Sequence, residues 1–140
     1  MRKQRLVVIG NGMAGARLVE DVLACGADLF EIVMFGDEPY GNYNRILLSN
    51  VLSGTYDPQD IFINSMSWYQ EHNIRLHAGS KVIEIDRAAQ SVRGSNGVVE
   101  AYDKLVIATG SRPFVPPLEG LAGDGGSYKN GVFVFRTLDD

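Results

Sequence analysis

The hydrophobic pattern at the start of the chain predicts a strand, a glycine turn, a helix and a second strand. Residues 6–9 form an unbroken aliphatic run, which is typical of a strand buried on both faces of a parallel sheet. Apolar residues within 18–23 recur at helical spacing, and Gly26 can end that helix. Residues 32–35 are again apolar. This order predicts a βαβ unit with a right-handed crossover.

The middle of the chain predicts short elements. Residues 36–43 are predicted to form a loop, and 46–52 a short helix that stops near Gly54. A second helix is predicted within 60–73, where Trp68 and Tyr69 are expected to pack in the core. Residues 74–77 are predicted to form a third strand.

From residue 81 onward, apolar and polar positions alternate. Three short runs (81–86, 91–93 and 98–102) follow one another, and Asn96-Gly97 between the last two indicates a hairpin. We therefore predict a three-stranded antiparallel meander, followed by a fully apolar strand over 105–108. The predicted fold class is α/β, with a parallel Rossmann-like sheet and this meander as a separate layer.

The last part of the chain has the composition of a linker. Proline and glycine are frequent from 113 to 131, and a short apolar run over 132–135 follows. We predict a cofactor-binding domain over 1–112, and over 113–140 a linker with the start of a second domain. We also expect an N-terminal piece of a longer enzyme, in which 132–140 would lack its native partner domain and be disordered or pack on a neighbouring molecule.

Composition and charge limit the classes of function and of binding partner. The formal charge of −4 in 140 residues gives no general attraction to nucleic acid or to anionic membranes, and no apolar run approaches the length of a membrane span. The one cysteine, Cys25, cannot form an internal disulfide, so the sequence favours a cytoplasmic protein. Cys25 is expected to be buried on the first helix. No metal site is predicted, and His72 and His77 are expected to be surface or loop residues.

Three glycines after the first strand carry the main functional signal. Gly10, Gly12 and Gly15 have the spacing G-x-G-x-x-G, between a predicted strand and a predicted helix. In this context the first glycine permits a tight turn, the second lets a pyrophosphate approach the backbone, and the third allows close packing of helix on strand. We therefore predict a dinucleotide site in which the helix N-terminus holds the phosphates.

The same motif requires an acidic residue about twenty positions further on, which binds a ribose. Asp37 and Glu38 both follow the second strand. We favour Asp37, but the sequence leaves the choice between them open. The meander favours FAD over NAD as the dinucleotide, since a plain NAD-binding Rossmann domain continues with further βα units.

The chain resembles the FAD-dependent pyridine-nucleotide oxidoreductases. The resemblance lies in VVIGNGMAG, FGDEPYGNYNRILLSNVLSG, YDKLVIATGSRPFVPP and VFVFRTLDD. It implies a Rossmann-like FAD/NAD(P)-binding domain with three (ββα) layers, and it assigns no catalytic side chain. The cofactor-binding residues that it implies or that lie beside its motifs are Gly10, Gly12, Met13, Ala14, Gly15, Asp37, Glu38, Arg45, Asn50, Val82, Ala108, Thr109, Gly110 and Arg136.

Within this family, the segment from Asn44 to Gly54 is most similar to the large subunit of NAD(P)H-dependent nitrite reductase. Many ferredoxin reductases have a lysine where this chain has Asn50, so the sequence leans away from them, although ferredoxin and rubredoxin reductases remain an alternative. The resemblance implies FAD in this chain and NAD(P)H in the full-length enzyme. Siroheme and an iron–sulfur cluster would be required only for a nitrite reductase.

Two further expectations concern function. The partner would be an electron acceptor or a second copy of the chain. A non-catalytic dinucleotide-binding module is the alternative from another functional class.

Overall fold

A computed structural model of the chain describes residues 2–121, 123 and 127–140. A parallel sheet forms its centre. Its strands are, in chain order, β1 (Gln4–Ile9), β2 (Phe30–Phe35), β3 (Arg75–His77) and β7 (Lys104–Ile107). In space they lie in the order β3-β2-β1-β7, and every neighbouring pair is parallel.

In the part of the chain that the structure describes, three helices accompany this sheet. They are α1 (Met13–Cys25), α2 (Leu48–Leu52) and α3 (Met66–Glu71). Two 3₁₀ turns are also present, at Arg45–Leu47 and Pro58–Ile61. The first leads into α2 and overlaps the helix predicted over 46–52, whereas the second was not predicted. None of the helices in the described part of the chain has the length and apolar character needed to span a membrane.

The predicted meander is present as a second sheet. Its strands are β4 (Val82–Asp86), β5 (Ser91–Gly94) and β6 (Val99–Ala101), paired antiparallel in that order. Successive side chains of a strand point to opposite faces of the sheet. One face of the parallel sheet packs against α1 and α3, and the other packs against the meander. The predicted fold class, a parallel α/β sheet with an antiparallel three-stranded layer, is confirmed.

Two apolar clusters hold these layers together. On one face of the sheet, Leu6, Val8 and Met34 pack with Val19 of α1 and Tyr69 of α3. On the other face lie the alternate residues of the same strands. They are Val7, Ile9, Val33 and Phe35, and they pack against Val92 of the meander strand β5. Both faces of the sheet are therefore buried, which explains the unbroken aliphatic runs in the sequence.

A buried carboxylate ties the meander to the parallel sheet. Glu100 of β6 is only 7% exposed. Its oxygens lie 3.0 Å from Nη1 of Arg75, 3.3 Å from Nη1 of Arg5 and 2.9 Å from Nε2 of His77. The expectation that His77 is a surface or loop residue is therefore wrong: it ends β3, and its ring packs 4.7 Å from that of Phe35.

The burial predicted for Cys25 is also wrong. This residue is the last of α1, and it is exposed. The core-facing stripe of the helix is formed by Gly15, Ala16 and Val19, which leaves the final turn at the solvent side. Helical spacing alone did not place Cys25 relative to that stripe.

The Glu100 cluster predicts how stability depends on pH. Burial raises the pKa of Glu100, but hydrogen bonds and charges from His77 and Arg75 outweigh it, so its pKa lies below the ordinary 4.5. A depressed carboxyl pKa stabilises the fold above the unfolded-state value, and this stabilisation is lost on acidification. Glu100→Gln should lower the free energy of unfolding at neutral pH by about 2 kcal/mol.

Urea unfolding at neutral pH, and at pH values decreasing through 4.5, tests this prediction. The difference between Glu100→Gln and wild type should shrink as the pH falls. Glu84→Gln is the matched control, since its ion pair with Arg93 joins side chains that are 58% and 50% exposed. It should change stability by less than about 1 kcal/mol. Equal effects of the two substitutions would contradict the role of Glu100.

Candidate functional site

The carboxyl ends of three parallel strands bring three loops together. The amide of Gly10, after β1, donates to the carbonyl of Phe35 at 2.8 Å, and the amide of Ala108, after β7, donates to Ile9 at 2.7 Å. The amide of Gly36, after β2, donates to His77 at 3.1 Å. These bonds continue the sheet register into the loops. The edge that they form is where open α/β sheets bind ligands.

The first and third motif glycines are required by close backbone contacts. Gly10 has φ of +112°, and a Cβ there would lie 2.2 Å from the carbonyl oxygen of Ala108. A Cβ on Gly15 would lie 2.1 Å from the carbonyl oxygen of Gly10. Any side chain at either position would force the backbone apart. Both glycines therefore hold α1 and β7 close to the turn after β1.

The second motif glycine faces open space instead. A Cβ on Gly12 would meet no heavy atom within 4 Å, and Gly12 is the N-cap of α1. No side chain of the described residues caps this end, and the first turn carries no acidic residue. The first backbone N–H groups of the helix are therefore left without an intrahelical partner, and together with the helix dipole they favour an anion here.

A cavity of about 950 Å³ opens over this helix end. Twelve of the residues implied by the sequence line it: Gly10, Gly12, Met13, Ala14, Asp37, Glu38, Arg45, Val82, Ala108, Thr109, Gly110 and Arg136. Gly15 lies behind the wall, where it contacts Gly10. Asn50 lies outside the lining, on α2, where its carbonyl accepts from Thr55 and Tyr56.

The two candidate acids differ in their environment. Asp37 is exposed, and its carboxylate has no hydrogen-bond or ion-pair partner among the described residues. Glu38 is half-buried and has a partner on each oxygen: Oε1 lies 2.5 Å from Nη2 of Arg45, and Oε2 accepts from the hydroxyl of Tyr43. Of the two, Asp37 is the carboxylate that remains available to a ligand.

Arg45 is fixed from three sides. Besides Glu38, its Nη1 donates to the carbonyl oxygen of Arg136 at 2.5 Å, and its guanidinium carbon lies 5.1 Å from the centre of the Tyr43 ring. Burial, and then the hydrogen bond to Glu38, raise the pKa of Tyr43. The phenol therefore stays protonated and continues to donate to Glu38 at physiological pH.

Segment 134–140 covers one side of the cavity. The Arg136 side chain donates to the carbonyl and hydroxyl oxygens of Ser111 at 3.2 and 3.1 Å. Asp140 accepts from the amides of Arg136 and Thr137, which lowers its pKa. Leu138 packs beside Tyr43. The second half of 132–140, which the sequence predicted to be disordered or to pack on a neighbouring molecule, therefore has contacts within this chain.

Sequence reasoning did not assign Asn11 to the site, although it lies within the glycine motif. The Tyr69 hydroxyl of α3 donates to Oδ1 of Asn11 at 2.8 Å, and Nδ2 of Asn42 donates to its carbonyl at 3.3 Å. These bonds fix the glycine loop to α3 and to the loop that follows β2. No periodicity in the sequence signals such a contact.

Lys81, directly before β4, lines the cavity and was also missed. Its neighbour Ser80 donates its amide to the carbonyl of Gly36, so Lys81 and Asp37 belong to adjacent, hydrogen-bonded segments. Among the described residues, no group of three or more histidine, cysteine, aspartate or glutamate side chains is arranged to hold a metal ion.

Comparisons with known proteins agree with this geometry. The chain is 49% identical over its whole length to the assimilatory nitrate reductase electron transfer subunit of Bacillus subtilis (strain 168), and 44% to nitrite reductase [NAD(P)H] of the same organism. In both cases it spans 17% of the relative. The fold superimposes with a TM-score of 0.76 on a chain in the crystal structure of the covalent putidaredoxin reductase–putidaredoxin complex, at 31% identity, over 88% of this chain and 29% of that one.

The family assignment rests on a match that covers nearly the whole chain. Residues 4–140 fit the sequence pattern described as pyridine nucleotide-disulphide oxidoreductase. The resemblance seen in the sequence motifs is thereby confirmed. The chain belongs to the pyridine nucleotide-disulphide oxidoreductase family.

Proposed function

We propose that the cavity binds FAD, with its diphosphate bridge at the N-terminus of α1. The observation that supports this proposal is the open space over Gly12, which lies beside helix N–H groups that have no intrahelical partner. This space is part of a cavity of about 950 Å³. This volume is at the upper end of the range for small-molecule sites, as an extended dinucleotide requires. The main-chain donors supply the positive potential, so an acidic protein can still bind an anionic cofactor.

The lining residues suggest how the cofactor lies. Asp37 would accept hydrogen bonds from the adenosine ribose, and the backbone at Val82 would contact the adenine. Arg45 would face the phosphates. The loop after β7, with Thr109 and Gly110, and the guanidinium of Arg136 would border the remaining length of the cofactor. The structure does not bring Asn50 to the cavity, so we assign it no contact with the flavin.

The proposed activity is transfer of reducing equivalents from NAD(P)H to FAD and onward to an acceptor. Bound FAD would accept a hydride and pass on electrons, while this chain's residues bind and orient the cofactor. A dithiol relay within the chain is ruled out, because it has one cysteine and Cys25 does not line the cavity. Residues 1–112 would form the FAD-binding part, and 113–140 the passage to an NAD(P)H-binding domain.

The proposed acceptor system is that of a nitrite reductase large subunit, as the relative at 44% identity suggests. Siroheme and an iron–sulfur cluster would then be held by residues other than those described here, which contain no candidate metal cluster. An electron-transfer subunit of an assimilatory nitrate reductase is the second candidate, favoured by the 49% identity to such a protein. A ferredoxin- or rubredoxin-type reductase is a third.

The visible spectrum of the full-length gene product tests the proposed function. Titration with FAD should give a saturable complex with shifted flavin bands, and anaerobic addition of NADH or NADPH should bleach them. Reoxidation by nitrite would then support the nitrite reductase assignment, and failure of nitrite to reoxidise the flavin would favour another acceptor. A protein that binds no flavin, or whose bound flavin neither nicotinamide reduces, would contradict the proposal.

A substitution at Asp37 tests the ribose contact. Asp37→Asn should weaken FAD and ADP binding about tenfold, because a charged acceptor facing the ribose hydroxyls is replaced by a neutral one. Riboflavin, which lacks the adenosine half, should be unaffected. Isothermal titration with the three ligands measures this. Stability should not change, since the Asp37 carboxylate has no partner among the described residues. Unchanged affinity for ADP would contradict the assignment.

The two glycines of the helix start allow a matched pair of variants. Gly12→Ala should leave the unfolding temperature unchanged but abolish FAD binding, because the added methyl occupies the open space where the diphosphate would lie. Gly15→Ala should instead lower the free energy of unfolding by about 2 kcal/mol, because its methyl would meet the carbonyl of Gly10. Thermal unfolding and flavin titration separate the two effects. Normal flavin affinity in Gly12→Ala would rule out a diphosphate at this position.

A further inference from the structure

The second acid of the cavity has a different environment from the first. Glu38 lines the cavity, but both of its oxygens are engaged within the protein, by Arg45 and by Tyr43. The side chains of Glu38 and Arg45 are only 21% and 22% exposed. Each oxygen of Glu38 already accepts from one protein donor, so a ribose hydroxyl would have to use the remaining lone pairs of a carboxylate that is mostly covered.

This carboxylate is one of three groups that hold Arg45 at the cavity wall. A free arginine side chain has many rotamers, and ordering it when a ligand binds costs conformational entropy. Here the guanidinium is held before any ligand arrives, by Glu38, by the carbonyl of Arg136 and by the Tyr43 ring face. The planar guanidinium retains N–H donors for a phosphate beyond those that Glu38 and Arg136 use.

Tyr43 holds the carboxylate in turn. Its ring is buried in a cluster with Leu48 and Ile61, and its hydroxyl donates to the Glu38 oxygen that Arg45 does not use. The chain of contacts therefore runs from a fixed aromatic ring to a carboxylate and then to a guanidinium at the cavity wall. A network in which every member is paired defines one geometry.

We propose that Glu38 is a positioning residue, which pre-organises Arg45 for the phosphates of the bound dinucleotide and does not itself touch the ligand. The inference rests on the proposed function, since it requires a phosphate-containing ligand in the cavity. It assigns different tasks to two adjacent acids: Asp37 faces the ligand, and Glu38 faces the protein.

A pair of substitutions separates position from charge. Glu38→Gln and Glu38→Ala both remove the negative charge, but only glutamine keeps groups that can hydrogen-bond to Arg45 and Tyr43. Glu38→Gln should bind ADP with an affinity within about twofold of wild type. Glu38→Ala should bind ADP about fivefold more weakly than Glu38→Gln, because the Arg45 side chain must then be ordered when the ligand binds. Dissociation constants are measured by calorimetry at physiological salt.

The same pair in an Arg45→Ala background is decisive. If Glu38 acts only through Arg45, the variants Glu38→Gln and Glu38→Ala should bind ADP with equal affinity once Arg45 is also replaced by alanine. A difference that persists without Arg45 would show that Glu38 contacts the ligand and would overturn the inference, as would equal affinities in the Arg45-containing pair. Asp37→Asn is the control, and its effect should be the same in both backgrounds.

Failure of this proposal can be told apart from failure of the proposed function. If wild-type protein binds neither ADP nor FAD, the proposed function is wrong and the inference falls with it. If wild type binds both, only the comparison of Glu38→Gln with Glu38→Ala decides the role of Glu38. Circular dichroism and thermal unfolding of each variant confirm that it is folded before its affinity is compared.

Discussion

The close approach of backbone segments at the carboxyl edge of the parallel sheet is the constraint on which the site depends. Gly10 lies against Ala108, and Gly15 lies against Gly10, at separations that exclude any side chain. These contacts place the N-terminus of α1 directly above the strand ends. A Cβ on Gly12, by contrast, would meet none of the described atoms within 4 Å, so open space lies beside the helix N–H groups.

The rest of the molecule keeps that edge in place. Apolar clusters on both faces fix the sheet between α1 and the meander, and Glu100 connects the meander to β1 and β3 through Arg5, Arg75 and His77. Near the cavity, the hydroxyl of Tyr69 fixes the glycine loop through Asn11. Stability and site geometry are thus supplied by largely separate groups, since the cavity walls are mostly loops while the core is strand and helix.

Much of this could be predicted from the sequence, for identifiable reasons. The aliphatic runs of β1, β2 and β7 mark strands buried on both faces, and Asn96-Gly97 marks the hairpin of the meander. The glycine spacing predicted where the helix would meet the strand. The starts of β1 and β2 were predicted two residues late, because the pattern follows the aliphatic run, whereas Gln4 and Arg5 already pair in β1. The meander strand predicted over 98–102 was too long, since β6 spans only Val99–Ala101.

Contacts between residues far apart in the chain could not be predicted in this way. The bond of Arg45 to the carbonyl of Arg136 spans ninety-one positions, and that of Tyr69 to Asn11 spans fifty-eight. His77 was misplaced for the same reason: its partner Glu100 lies on another sheet. Asp37 and Glu38 both follow β2, and what distinguishes them is local: Glu38 is half-buried and contacts Tyr43 and Arg45, five and seven positions away, whereas Asp37 is exposed.

A crystal structure of the protein with bound FAD tests the central claim most directly. The account predicts that diphosphate oxygens lie within hydrogen-bonding distance of the main-chain N–H groups of Met13 and Ala14, with no side chain between them. A cofactor bound elsewhere, or a helix N-terminus that a protein side chain occupies in the complex, would contradict it.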